Sequence, residues 1–364
     1  MRIRIEEEKS RFVRARLEEV VEEGPGRRVP RCTVFGRCGG CAWQHVDYSE
    51  QLEAKRRIVA DALSRIAKLD IPRDIPVHPS PVEYGYRVRT RVFAKAGRIG
   101  YRRPRSKALC PTEDCPILAP PLARAFERLA ATLGPQDDGF EFEMVAGAGE
   151  DVRVVRLPES ATEPPSFGPA LTVKAGGESM RLSPGVFLQS NGELFDELID
   201  AVERAADPGK RSGSLGLELY AGAGFLTRRL ARVFDRLVAV ESDKAAARDL
   251  SFNLAAGGLQ TVEVQNASAE QFLSGEPGLR PEVVILDPPR TGLGAEMVPA
   301  LAAMAVKKIV YLSCDPATLA RDLAGLSQLD FQLASLRIFD LFPQTPHVET
   351  LAVLNRSVGE PLSS

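Results

Sequence analysis

The chain has 364 residues and a net charge of −2, from 47 lysines and arginines against 49 aspartates and glutamates. That length allows two or three domains with a sizeable core, and the overall charge gives no sign of a polyanionic partner. No run approaches the roughly 20 apolar residues of a membrane-spanning helix, and the charged residues 1–10 lack a signal-peptide core, so a cytoplasmic protein with no membrane association is expected.

Residues 1–31 alternate as short strands do (Ile3, Ile5, Phe12, Val13, Leu17, Val20, Val21) and end in the turn Gly24-Pro25-Gly26. They are too few for an independent domain. Cys32, Cys38 and Cys41 then form C-x5-C-x2-C, with Gly39 and Gly40 letting backbone amides approach a metal centre. In a cytosolic chain, six cysteines point to metal or catalysis before disulfides. A tetrahedral zinc or a [4Fe–4S] cluster needs four thiolates, so the fourth is Cys110 or Cys115. Each precedes a proline, and local context does not separate them. Their own spacing is too wide for a second zinc hook, so three clustered cysteines plus a distant one suit iron–sulfur better.

Residues 48–67 read as an amphipathic helix with Leu52, Ile58, Val59, Leu63 and Ile66 on one broad face. Residues 82–185 look mostly β, with one helix near 122–133 and a loose loop around 159–169. Within them, residues 86–109 carry nine lysines and arginines and no acid, with Tyr86, Phe93 and Tyr101 between the charges. That pattern is either a solvated face or a phosphate-contacting face with stacking side chains.

From Gly192 helix and strand alternate, which implies a parallel sheet. The strand Leu215 to Tyr220 runs into Ala221-Gly222-Ala223-Gly224, then a helix over 225–234, then a strand ending in Glu241. This is a Rossmann-type unit with an acid placed for ribose hydroxyls. Thr227 stands where the third glycine of the dinucleotide fingerprint belongs, which favours S-adenosylmethionine, a cofactor with no pyrophosphate, over a nicotinamide. The strand Val283 to Leu286 ends in Asp287-Pro288-Pro289-Arg290. The next ends in Ser313-Cys314, where Asp315 can cap a helix and Pro316 suits its first position. Asp287 and Cys314 should therefore share one cleft, and a thiol before a helix N-terminus is a plausible thiolate. A last strand pair, 336–342 and 350–354, brackets Pro343-Gln344-Thr345-Pro346-His347-Val348-Glu349, which puts Glu349 at the same sheet edge.

Together these segments resemble the RNA uracil-5-methyltransferase family, whose members act on 23S ribosomal RNA and on the tRNA T-loop. The resemblance runs from Cys32 to the end. It rests on C-x5-C-G-x-C, Cys115-Pro116-Ile117-Leu118, Phe187-Leu188-Gln189-Ser190-Asn191, Leu219-Tyr220-Ala221-Gly222, Asp287-Pro288-Pro289-Arg290, Ser313-Cys314-Asp315-Pro316 and His347-Val348-Glu349. It implies an α/β fold, a Rossmann-like class I methyltransferase domain over 186–364 and a mainly β iron–sulfur domain over 32–185. Residues 1–31 are then an absent or reduced RNA-binding TRAM domain. It implies a [4Fe–4S] cluster on Cys32, Cys38, Cys41 and Cys115, with Cys314 as nucleophile and Glu349 as proton acceptor. Gln189, Tyr220, Glu241 and Asp287 surround S-adenosylmethionine. Phe225 stands where some members carry a cofactor-contacting asparagine, so that contact is not carried over. The implied substrate is RNA, ribosomal before transfer RNA, and nothing points to an obligate protein partner.

Overall fold

The alternating N-terminal residues form a hairpin, β1 (Arg2–Lys9) with β2 (Phe12–Glu19). Alternation normally marks one covered face. Here Ile3, Ile5, Phe12 and Leu17 are all exposed, so the hairpin contributes nothing to the core. The structure is a computed structural model and describes residues 1–71, 74–157, 169–207, 209, 213–276 and 278–357. The loop read around 159–169 lies outside these residues, apart from Pro169. No helix among the described residues is long and apolar enough to cross a membrane.

Residues 48–67 are helical: α1 (Tyr48–Ala62) continues as a π-helical turn over Leu63–Ala67. Its buried face overlaps the one the apolar spacing selects only in part. Gln51, Lys55, Val59, Leu63 and Ala67 are buried, while Ile66 is 45% exposed. Two polar residues are tolerated inside because partners meet them. Lys55 pairs with Asp340 and donates to the Phe342 carbonyl (2.9 Å), and Gln51 meets Gln344. Removing one partner from such a buried ion pair costs about 3–5 kcal/mol.

After β3 (Val77–His78), the basic segment folds as β4 (Arg89–Lys95), β5 (Arg98–Arg102) and β6 (Leu109–Pro111). With α2 (Pro120–Thr132), β7 (Glu141–Ala146) and β8 (Val152–Arg156) it builds an antiparallel sheet ordered β6-β5-β4-β7-β8. Leu122 and Phe126 of α2 pack on Val92, Ala94, Ile99 and Met144. Side chains alternate along a strand, so Arg89, Arg91 and Lys95 fall on the face opposite this core. A separate hairpin, β9 (Leu171–Ala175) with β10 (Glu178–Leu182), precedes the second sheet.

That sheet is wound by α3 (Phe195–Ala206), β11 (Leu215–Leu219), α4 (Thr227–Leu230), β12 (Arg236–Val240), α5 (Lys244–Ala256), β13 (Val262–Gln265) and α6 (Ala269–Gly275). It continues with β14 (Val283–Leu286), α7 (Met297–Ala303), β15 (Lys308–Ser313), α8 (Pro316–Ser327), β16 (Phe331–Phe339) and β17 (Glu349–Arg356). The order is β13-β12-β11-β14-β15-β17-β16-β3. Strands β13 to β15 are parallel, and β17 enters antiparallel between β15 and β16. The central strands are apolar on both faces. Val284, Leu286, Ile309 and Tyr311 join one core with α8, while Val283, Ile285, Val310 and Leu312 join the other with α3, as expected of a sheet covered on both sides. The helix expected over 225–234 is only α4, flanked by turns. Gly224, at φ 93°, holds the chain in the left-handed region and delays the helix start.

Candidate active site

The winding reverses direction between β11 and β14, and ligands of such sheets lie outside the carboxyl ends of the strands at that point. The β11 end is sharply bent: Tyr220 has φ 65° and Gly222 φ 58°. A non-glycine residue held there is strained, and such strain collects at functional turns. Glu241, at the end of β12, accepts from the Gly222 amide (2.8 Å) and the Asp243 amide (2.7 Å). Asp243 in turn caps α5 through the amides of Ala245 and Ala246. Glu241 therefore braces the glycine turn.

Gln189, Tyr220, Gly222 and Asp287 line one cleft together with Phe187 and Glu218. Sequence reading missed Glu218, although a carboxylate inside the apolar strand Leu215–Leu219 is itself a signal. Burial pushes Glu218 up to about 8; the Thr227 hydroxyl opposes this, while Asp287 and Glu241 add to it. One of its oxygens is buried with no hydrogen-bond partner. An orphaned carboxylate oxygen in a cleft floor suits a cationic ligand group.

Beside this cleft, β14 and β15 run parallel and β15 pairs with β17, with Ser313 opposite Thr350. The next residue on β15's side is Cys314, and the one before Thr350 is Glu349, so thiol and carboxylate meet at neighbouring strand ends. Asp287 closes the group from β14. Asp315 caps α8 by accepting from Ala317 (3.0 Å) and Thr318 (2.9 Å). The thiol is nevertheless not held low. Burial and Glu349 push Cys314 up to about 11, against Arg290, which pulls it down. Cys314 stands one residue before the cap, outside the first turn where the helix dipole is felt. Burial lifts Asp287 to about 7, and burial with Asp287 nearby lifts Glu349 well above the usual carboxylate range. Glu349 is 1% exposed, and its Oε1 has no hydrogen-bond partner.

Arg290 is thus the group that favours a thiolate here, and its place is fixed from α8. Thr318 Oγ1 donates to the Arg290 carbonyl (3.2 Å) and Arg321 to those of Thr291 and Leu293 (both 2.9 Å). Asp322 accepts from the Leu293 amide (2.8 Å) and the Tyr311 hydroxyl (2.7 Å).

Arg290 also lines a cavity of about 480 Å³ above the site, with Arg87, Arg89, Arg91, Arg103 and His347 among its other walls. Part of the basic stretch therefore lines the same cavity as Arg290. Its aromatics do not serve as stacking platforms. Tyr86 is buried and donates to the Pro343 carbonyl (2.9 Å), Tyr101 stacks on Phe126, and Phe93 is covered by Arg102. An exposed aromatic beside the stretch is Phe187, 59% exposed under the Arg89 guanidinium.

Gly39 and Gly40 of the cysteine loop close the same cavity. Cys32, Cys38, Cys41 and Cys115 are half-buried and free, and Cys110 is buried. Burial comes first in raising Cys38 to about 11 and Cys115 to about 12. The thiols also oppose one another's ionisation: Cys38 feels Cys110, Cys41 and Cys32, and Cys115 feels Cys41. Cys38 Sγ accepts from the Gly40 amide (3.3 Å). Among the described residues no group of three or more His, Cys, Asp and Glu side chains could hold a metal ion. A polynuclear cluster carries its own sulfide and spreads its ligands wider than one ion does, so this donor set of mutually repelling thiols fits a cationic cluster.

A doubly wound sheet with a glycine turn and a strand-end acid at its switch point, and a thiol at the next strand end, is an arrangement that suits a methyltransferase fold. Residues 169–357 match the family of tRNA (Uracil-5-)-methyltransferases. An uncharacterized RNA methyltransferase of Streptomyces avermitilis is 32% identical, over 96% of this chain and 88% of its own. The 23S rRNA (uracil(1939)-C(5))-methyltransferase RlmD of Pseudomonas fluorescens is also 32% identical, over 95% of this chain and 85% of its own. Among solved structures, the Pyrococcus abyssi tRNA (uracil-54, C5)-methyltransferase in complex with S-adenosyl-L-homocysteine superposes with a TM-score of 0.74 at 25% identity, covering 97% of this chain and 92% of that one. The chain belongs to the tRNA (uracil-5-)-methyltransferase family and is an RNA uracil-5-methyltransferase.

Proposed function

We propose that this enzyme uses S-adenosylmethionine to methylate carbon 5 of a uridine in 23S ribosomal RNA through a covalent cysteine–uracil adduct. The observation that carries the reading is the meeting of Cys314, Glu349, Asp287 and Arg290 at adjoining strand ends, under an arginine-lined cavity. Ribosomal RNA is favoured over transfer RNA by the relatives named for 23S rRNA.

Carbon 5 of uracil is a poor nucleophile. Addition of the Cys314 thiolate to carbon 6 turns carbon 5 into an enolate carbon. S-adenosylmethionine would supply the methyl group from its positive sulfonium and leave as S-adenosylhomocysteine; Gln189, Tyr220, Asp287 and Glu218, which line the cleft, and Glu241, which braces the glycine turn, would hold it. Glu349 then takes the carbon-5 proton, the carbon–sulfur bond breaks and the thiolate returns. Arg290 supports the thiolate. The uridine leaves its stack to reach the buried pair, while arginines along the cavity hold its phosphates.

The test uses undermethylated RNA from a strain lacking the gene. Cys314→Ala should transfer no methyl while still binding S-adenosylmethionine. Glu349→Gln should accumulate methylated RNA bound covalently to protein. Methyl transfer by Cys314→Ala would end the nucleophile assignment.

We infer further that Cys32, Cys38, Cys41 and Cys115 hold a [4Fe–4S] cluster. Protein purified without oxygen should contain about four irons per chain with acid-labile sulfide. Stoichiometric zinc without iron would replace it with a zinc site.

A further inference from the structure

Glu349 is buried, and its Oε1 has no hydrogen-bond partner to aim it. Its direction is therefore set by the backbone on either side. On one side β17 is held by two neighbouring strands, with Thr350 opposite Ser313 and Ile338. On the other side is the loop 340–348, and its fixed point is Gln344.

Gln344 is fully buried and left-handed, at φ 70°. Every polar group it owns is engaged by a part of the chain remote in sequence. Its carbonyl accepts from the amides of Ala42 (3.0 Å) and Trp43 (2.9 Å), directly after Cys41. Its amide donates to Gln51 Oε1 (2.9 Å), and its Oε1 accepts from Gln51 Nε2 (3.1 Å) and Arg28 (3.2 Å). Its Nε2 donates to the Glu83 carbonyl and carboxylate (both 3.3 Å). The flanking residues are pinned in the same way: Phe342 by Lys55, Pro343 by Tyr86, and Thr345 by its own bond to the Phe342 carbonyl (2.8 Å). A strained backbone conformation persists only where its surroundings over-determine it.

We propose that Gln344 is a positioning residue: it locks the loop that carries Glu349 onto the cysteine loop, so that removal of the carbon-5 proton depends on this joint. The proposal rests on the assignment of Glu349 as proton acceptor. No residue of the loop 340–348 lines the cleft of the glycine turn and Gln189, so loosening the joint should leave S-adenosylmethionine binding intact. It acts at proton removal, after the thiol has added and the methyl has moved.

The test compares Gln344→Ala with Gln344→Asn, which tolerates the left-handed conformation but is one methylene short. Misplacing a catalytic group by about 1 Å costs about 100-fold, so kcat for Gln344→Ala should fall by about 10- to 100-fold. KM for undermethylated RNA and binding of S-adenosylmethionine should stay within about twofold, and Gln344→Asn should fall between Ala and wild type. Covalent methylated RNA–protein complex should build up in both variants during turnover. The chain has one tryptophan, Trp43, and its amide is bonded to Gln344. Its emission should therefore shift in both variants. Wild-type kcat in Gln344→Ala, or a raised RNA KM at unchanged kcat, overturns the proposal. A fall in kcat with the Trp43 shift but no build-up of adduct also overturns it, because the joint then acts before proton removal. Failure of the underlying assignment shows separately, as normal product release by Glu349→Gln.

Discussion

The cavity and the pocket beneath it are opposite in character. The cavity walls carry Arg87, Arg89, Arg91 and Arg103 at or near the surface. Below it Glu218 and Glu349 are buried and Asp287 is half-buried, and burial raises the pKa of each. A polyanion is attracted by charge that stays hydrated on a rim. Proton transfer inside needs carboxyl groups whose affinity for a proton has been lifted toward neutrality. Arg290 belongs to both regions: it lines the cavity and also lowers the thiol of Cys314.

Arg290→Ala should break that comparison with the largest effect. The variant loses the cation that pulls the Cys314 thiol down from about 11, so the thiol titrates higher still. A rise of about one unit slows alkylation of Cys314 about tenfold at any pH below the transition. Glu349→Gln removes an opposing charge and should move the titration down. Peptide-resolved iodoacetamide labelling against pH reads both, and equal curves for the two variants would remove Arg290 from the account. The smaller effect belongs to the rim. Arg103 and Arg105 make no ion pair among the described residues, so Ala at both releases no buried acid. The slope of log affinity for RNA against log salt should fall by about two, with kcat at saturating RNA unchanged.

Much of the pocket was legible in the sequence because strand ends announce themselves. Apolar runs stop at Leu286 and Leu312; Asp287 after the first lines the cleft, and Cys314, two residues past the second, lies beside it. The Asp315 cap likewise formed as its residue type and the following proline required. What could not be read depends on partners distant along the chain. Gln51 and Lys55 look like the solvated side of α1, but Gln344 and Asp340 lie 293 and 285 residues away. Tyr86 and Tyr101 looked available for stacking, since periodicity does not tell which face of a strand is covered. The pKa of Cys314 went the other way from the helix-terminus expectation, because burial and a facing carboxylate outweigh a dipole one residue out of range. Cys32, Cys38, Cys41 and Cys115 gave their spacing but not their arrangement, since the distant Cys115 comes near the other three only through the fold.

One strand has a bearing on how the enzyme is made. Strand β17 lies inside the sheet, yet it follows both of its neighbours in chain order. A growing polypeptide folds from the N-terminal side first, so β15 and β16 emerge with open edges that only a later segment can close. Unpaired edges recruit foreign strands. The same late segment brings Glu349. Before it docks, the nascent chain already holds the Cys314 thiol but not the carboxyl group that meets it at the neighbouring strand end.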